Sequence, residues 1–190
     1  MSDFKFDIKS IDCGWLTGKV TLGGSALEFY MSAAVGDDLK HLLLAALSVC
    51  EQCDEVSEMI NYGDYYCEDF PCDTVKINEE GTIVEWNILQ DKARDLVRIT
   101  ISAERYDKDG NATPVCLQGA IARKEFITEI VAGIDEWLHS HGLTQYFRRW
   151  GAPFPLTEFL TAKAIVSGMP LLGNLDDDIA LLSAVIKKSK

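Results

Sequence analysis

Residues 96–138 read LVRITISAERYDKDGNATPVCLQGAIARKEFITEIVAGIDEWL, and the apolar period changes partway along them. Up to Ala122 apolar and polar residues alternate, the pattern of a strand with one face on a core, because successive side chains point to opposite sides. Leu96 to Tyr106 and Val115 to Ala122 form a hairpin across Asp107-Lys108-Asp109-Gly110-Asn111, whose Asp-Gly step and asparagine are turn formers. From Lys124 the period becomes helical. Phe126, Ile127, Ile130, Val131, Ile134, Trp137 and Leu138 line one face until Gly142, which reads as a C′ glycine.

Toward the N-terminus the period-two pattern dominates. Phe4, Phe6 and Ile8 alternate with polar residues, and Trp15 to Leu22 and Ala26 to Ala34 flank a Gly23-Gly24-Ser25 turn, giving two or three antiparallel strands. After Gly36, Asp37 and Asp38 stand where carboxylates cap a helix, and Leu39, Leu42, Leu43, Ala46, Leu47 and Cys50 recur at helical spacing. The stretch Glu51 to Pro71 has no steady period and reads as an irregular crossing segment. Strands resume at Thr74 to Asn78 and Ile83 to Leu89, about a turn at Glu80-Gly81.

Toward the C-terminus, a loop containing Tyr146, Phe147, Trp150 and Pro153 to Pro155 precedes a helix from Leu156 to Val166. A last helix starts near Asp176 and runs through Ile179, Leu182 and Ile186 to Lys187 and Lys188, acidic at its start and basic at its finish as the helix dipole favours. Strands first and helices last make an α+β chain, not the alternation of a parallel-sheet nucleotide fold. The expectation is a single α+β domain over residues 1–190, with one antiparallel sheet of about six to seven strands packed against helices, and C-terminal helices beyond it.

The chain of 190 residues is 47% hydrophobic, enough for a sizeable core. Its start, MSDFKFDIKS, lacks a basic then apolar leader, and no run is long and apolar enough to span a bilayer, so a cytoplasmic protein is expected. The formal charge of −12 argues against nucleic acid and against an anionic membrane, both of which require clustered cations. Residues 51–85 hold eleven acids and one base, Lys76, a net charge of −10 that accounts for most of the total.

Six cysteines would suit a secreted disulfide framework, but in a cytoplasmic chain with an ample core they read mostly as reduced thiols. Cys50-x2-Cys53 with Cys67-x4-Cys72 places four thiols in two pairs that could close a tetrahedral zinc site. Against zinc, Cys50 lies on the apolar face of its helix and neither pair has a glycine-bearing knuckle; a CxxC redox site would open a helix, whereas this pair closes one. His139 and His141, two apart on a helix, point to different sides and suit a helix C-terminus better than a shared metal. Asp107, Asp109 and Asn111 lack the glycine position and closing glutamate of a calcium loop. No serine-elbow, phosphate-loop or zincin motif occurs. The aromatic group Tyr146, Phe147, Trp150, Phe154 and Phe159, with Arg148 and Arg149, reads as core rather than as a binding hot spot.

Acids Glu51, Asp54, Glu55, Glu58, Asp64, Glu68, Asp69, Glu79 and Glu80 form the candidate partner-binding set. They are either a solvated face or a local negative field that speeds the approach of a basic protein such as a nuclease.

Met31-Ser32-Ala33-Ala34 running into Asp37-Asp38-Leu39 and Leu42-Leu43, Asn78-Glu79-Glu80-Gly81 leading to Glu85-Trp86, and His141-Gly142, Tyr146, Trp150 and Phe154-Pro155 together form a scattered pattern. It resembles that of uncharacterised bacterial proteins, some grouped with the immunity proteins of polymorphic toxin systems. The resemblance implies a binding protein and carries over no catalytic residue. Three expectations follow: a non-enzymatic, immunity-like acidic protein that captures a basic partner; a metal- or small-molecule-dependent enzyme with its site between sheet and helices; and a structural homo-oligomer, such as a dimer through the aromatic helices.

Overall fold

The N-terminal alternation folds as an antiparallel meander of β1 (Phe4–Asp12), β2 (Trp15–Leu22) and β3 (Ser25–Ser32), in that order across the sheet. The structure is a computed structural model and describes residues 4–49, 74–106, 108–169 and 174–188. Asp12 pairs with Trp15 and Leu22 with Ser25, so each hairpin turns on two residues. Both residues of each turn have positive φ: Cys13 at 50° and Gly14 at 80°, Gly23 at 59° and Gly24 at 80°. That is the geometry whose twist matches the flanking strands.

A second meander contains β4 (Thr74–Asn78), β5 (Ile83–Asp91), β6 (Leu96–Tyr106) and β7 (Ala112–Ala122), again in sequential order. Seven strands are present among the described residues, but they form sheets of three and four rather than the single sheet expected from sequence. Side chains explain the separation. At β3, the Tyr30 N–H donates to Glu79 Oε1 at 2.8 Å and the Glu28 carbonyl accepts from Arg105 Nη2 at 2.7 Å. Side chains of the second sheet therefore take up β3 main-chain groups that a neighbouring strand would otherwise pair.

The two sheets share one core. Trp86 of β5 meets Phe4, Phe6 and Phe29 of the first sheet edge-on, with ring centroids 6.5, 6.5 and 6.1 Å apart. Such edge contacts set the positive ring edge against a negative face. Leu22 lies over Gly119 of β7, where a Cβ would stand 2.6 Å from its Cδ1.

Helices close the remaining sides: α1 (Asp38–Ser48), α2 (Arg123–Trp150), α3 (Leu156–Ser167) and α4 (Leu175–Ser183). The apolar stripe of α2 packs on β1 so closely that a Cβ on Gly133 would lie 2.2 Å from the Phe6 carbonyl oxygen. Gly142 leaves helical geometry (φ 77°, ψ 163°), as its sequence position predicts, yet the helix resumes at once and ends at Gly151 (φ 91°). Tyr146, Phe147 and Trp150 are thus helical, not in a loop. Tyr146 and Trp150 sit four apart on one face, both buried, with Tyr146 edge-on to Trp137 and Phe154, and that burial sustains the extra turns. The last helix also departs from expectation, ending at Ser183 instead of continuing through Ile186.

Candidate functional site

Three elements meet where β3 ends, α1 begins and β4 ends. Asp37 caps α1, accepting the Lys40 N–H at 3.2 Å, which satisfies one of the donors a helix start leaves open. Asp38, the first helical residue, turns inward and is only 5% exposed. It accepts a backbone hydrogen bond from Asn78 at the end of β4, while its Oδ2 has no hydrogen-bond partner among the described residues. Burial raises the Asp38 pKa to about 6 against the Asn78 hydrogen bond, and the Asp37 charge adds to the rise. Burial raises Asp37 as well; the Lys40 N–H and the Lys40 and His41 charges oppose the shift, and the Glu158 charge adds to it.

Tyr146 lies in the last turns of α2, packed against Trp137, Trp150 and Phe154. Its ring is 1% exposed and its hydroxyl has no partner among the described residues. Burial raises its pKa, and the Asp37 charge raises it further. Around these groups Lys40 pairs with Glu158 of α3 at 3.1 Å, and the Ser32 hydroxyl donates to Glu80 Oε1 at 2.6 Å. An unmade hydrogen bond at a buried polar atom costs about 1–3 kcal/mol, so Asp38 Oδ2 and the Tyr146 hydroxyl are two polar groups for which a bound donor or acceptor would offset a standing penalty.

Of the acids singled out from sequence, Glu79 and Glu80 are described. Glu79 is engaged within the fold: its carboxylate takes Arg105 Nη2 at 3.1 Å and Arg105 Nη1 besides, and its side chain is 5% exposed. Glu80 is exposed in the β4–β5 turn at φ 54°, adjacent to the Asp38 junction. Glu51, Asp54, Glu55, Glu58, Asp64, Glu68 and Asp69, and the four cysteines Cys50, Cys53, Cys67 and Cys72, lie outside the described residues. Among the described residues no group of three or more histidine, cysteine or acidic side chains is placed to hold a metal ion. Cys13 and Cys116 are exposed free thiols.

His139 and His141 each bring Nδ1 to a carbonyl one turn back, Asp135 O at 2.9 Å and Trp137 O at 3.0 Å, and the His141 ring stacks on Trp137 at 4.4 Å. In the aromatic group Tyr146, Trp150 and Phe159 are buried, Phe154 is partly so, and Phe147 is 55% exposed.

Sequence reading missed a buried ion pair. Asp135 of α2 and Lys163 of α3, 1% and 0% exposed, bond to each other, and Lys163 Nζ also donates to the Ala184 carbonyl at 2.6 Å while Asp135 Oδ2 accepts the Ile186 N–H at 2.8 Å. This is why α4 stops at Ser183: the pair draws the following backbone into its own hydrogen bonds. The available signal was a charge at a buried position of each helix, Asp135 beside Ile134 and Lys163 between Ala162 and Ala164. Next to this tail an open groove of about 610 Å³ is lined by Lys124, Glu125, Thr128, Val166 and Ile186 among others.

Among the described residues no helix is long and apolar enough to cross a membrane. Compared with known proteins, the chain matches no family model, no curated protein and no solved structure.

Proposed function

We propose that the protein is a non-catalytic binding protein that captures a basic protein partner through its acidic face, in the manner of an immunity protein. The observation that carries this reading is the placement of charge: ten of the twelve net negative charges fall within residues 51–85. A field concentrated in this way raises association rates with a cationic surface and costs self-repulsion in the free protein. Of the acids in that stretch, Glu80 is exposed in the β4–β5 turn of the described fold. The cytoplasm, where an immunity protein meets its target, fits a chain without a long apolar helix among its described residues.

The test is a binding panel of small basic proteins, nucleases included, measured by surface plasmon resonance at low and physiological salt. One partner should saturate at 1:1 stoichiometry and survive physiological salt, with an on-rate that falls at least tenfold when Glu51, Asp54, Glu55 and Glu58 are changed to glutamine. Uniform, unsaturable adsorption of every cation that vanishes with salt would overturn the reading.

A further inference from the structure

The fold covers its sheet edges unevenly. At β1, Gly133 of α2 lies against the Phe6 carbonyl, and Lys188 Nζ donates to the same oxygen at 3.2 Å. At β3, the main chain is met by Glu79 and Arg105. β4 is only five residues long and carries Lys76. β7 stands at the other end of the four-stranded sheet, eleven residues long, and has none of these protections among the described residues. Its sequence, ATPVCLQGAIA, holds no charge, whereas β1 and β6 both carry acids and bases. A long neutral edge is a template for a further strand, which native folds otherwise blunt with charge or cover.

Two observations fix which main-chain groups of β7 face outward. The Arg123 N–H donates to the Asp95 carbonyl at 3.3 Å and so extends the β6–β7 ladder in register, which assigns the odd-numbered residues of β7 to bonds with β6. Pro114, without an N–H, stands in the even-numbered set, where a proline costs the ladder nothing. The outward groups are those of Ala112, Pro114, Cys116, Gln118 and Ala120, whose side chains are all exposed, and no strand, turn or cap bonds to them among the described residues. This pattern is self-complementary. In an antiparallel pair of β7 strands centred on Cys116, the Cys116 N–H and C=O exchange hydrogen bonds with Cys116 of the second copy, Ala112 does so with Ala120 of the second copy, and the Gln118 N–H donates to the second copy's Pro114 carbonyl. The N–H that Pro114 lacks falls opposite the Gln118 carbonyl, the one the β2–β3 turn already approaches: a Cβ on Gly23 would stand 3.4 Å from that oxygen.

Charge selects a second copy as the occupant. A charged side chain near a two-fold axis meets its like, so a strip that pairs with itself must be neutral, and in a chain of formal charge −12 β7 is a stretch of edge where two copies can approach. The same neutrality offers a cationic protein nothing to recognise. We propose that β7 is a homodimer interface at which two copies pair antiparallel about Cys116, joining their four-stranded sheets into one continuous sheet. The inference is independent of the basic-partner reading.

The test is sedimentation velocity on the full chain across micromolar concentrations, where a reversible monomer–dimer equilibrium is expected. Gln118→Pro removes an outward N–H and no bond to β6, and Cys116→Lys sets like charges opposite each other at the two-fold axis. Each should raise the dissociation constant about tenfold or more while the circular dichroism spectrum stays that of the parent. Cys116 is an exposed free thiol, which gives a second readout. In the proposed register the two Cys116 Cα atoms stand about 5.5 Å apart, within the roughly 4.4–6.8 Å that a disulfide spans. Oxidation of the parent dimer by diamide should therefore yield a Cys116–Cys116 cross-link, identified by peptide mass spectrometry and lost in Gln118→Pro. A chain that stays monomeric at the highest concentration would overturn the proposal. So would a dimer that both variants leave intact and that yields no such cross-link, since its contact would then lie elsewhere, as on the aromatic helices.

Discussion

At the scale of single residues, Asp38 makes folding depend on pH in a direction opposite to that of most carboxylates. In the unfolded chain it ionises near about 3.9, and in the folded protein at about 6. Below the lower value both states are neutral; above the higher value both are charged and the folded state bears the full burial penalty. Its contribution therefore becomes less favourable as pH rises from about 4 to about 6 and is constant beyond. Asp38→Asn is expected to stabilise the protein by about 1–2 kcal/mol at pH 7 and by close to nothing at pH 4, a difference that urea denaturation at the two values measures directly. Tyr146→Phe is expected to stabilise the protein by about 1–3 kcal/mol, less what the vacated hydroxyl volume costs in packing, because it removes a buried hydroxyl that has no partner among the described residues. The capping role of the Asp37-Asp38 pair was legible, since acids before a helical run have that one familiar use. That Asp38 would face inward was not: its burial depends on Asn78, forty residues away in the chain and unrelated by any local pattern.

At the scale of elements, periodicity located β2, β4 and β6 to the residue, because each has one face on the core and alternation is then enforced. It failed where the stabilising contact is remote. The Cys13-Gly14 turn carries only one residue that favours positive φ, so the sequence left open whether two or three strands precede α1. The turns of α2 beyond Gly142 rest on Tyr146 and Trp150 packing, which no capping rule anticipates. The register of α2 on β1 depends on Gly133. Gly133→Ala would drive a methyl group against the Phe6 carbonyl and is expected to cost about 2–4 kcal/mol, far more than the small gain in helix propensity. Thermal unfolding followed by circular dichroism would show a lowered midpoint, whereas Gly142→Ala, with no neighbour within 4 Å of its Cβ, would be strained only by its positive φ.

At the scale of the whole molecule, the class of fold was readable and the division into two sheets was not. Alternation shows that a strand exists; it does not show whether an edge is met by another strand or by the side chains of Glu79 and Arg105. The buried pair of Asp135 and Lys163 belongs to this scale because it joins α2, α3 and the segment after α4. Lys163→Met alone strands a buried carboxylate and is expected to cost about 3–5 kcal/mol, while the double change Asp135→Leu with Lys163→Met should recover much of that loss, as a double-mutant cycle in urea would record. The same arrangement bears on how the chain is made. Both sheets and α2 emerge from the ribosome before residues 184–188, yet Asp135 and Lys163 receive Ile186 and Ala184, and Lys188 reaches Asp7 and the Phe6 carbonyl on β1. A nascent chain stalled before Ala184 would hold both sheet-forming segments and still lack the hydrogen bonds its buried charges need, so native protection from proteolysis should arise only once that tail has left the exit tunnel.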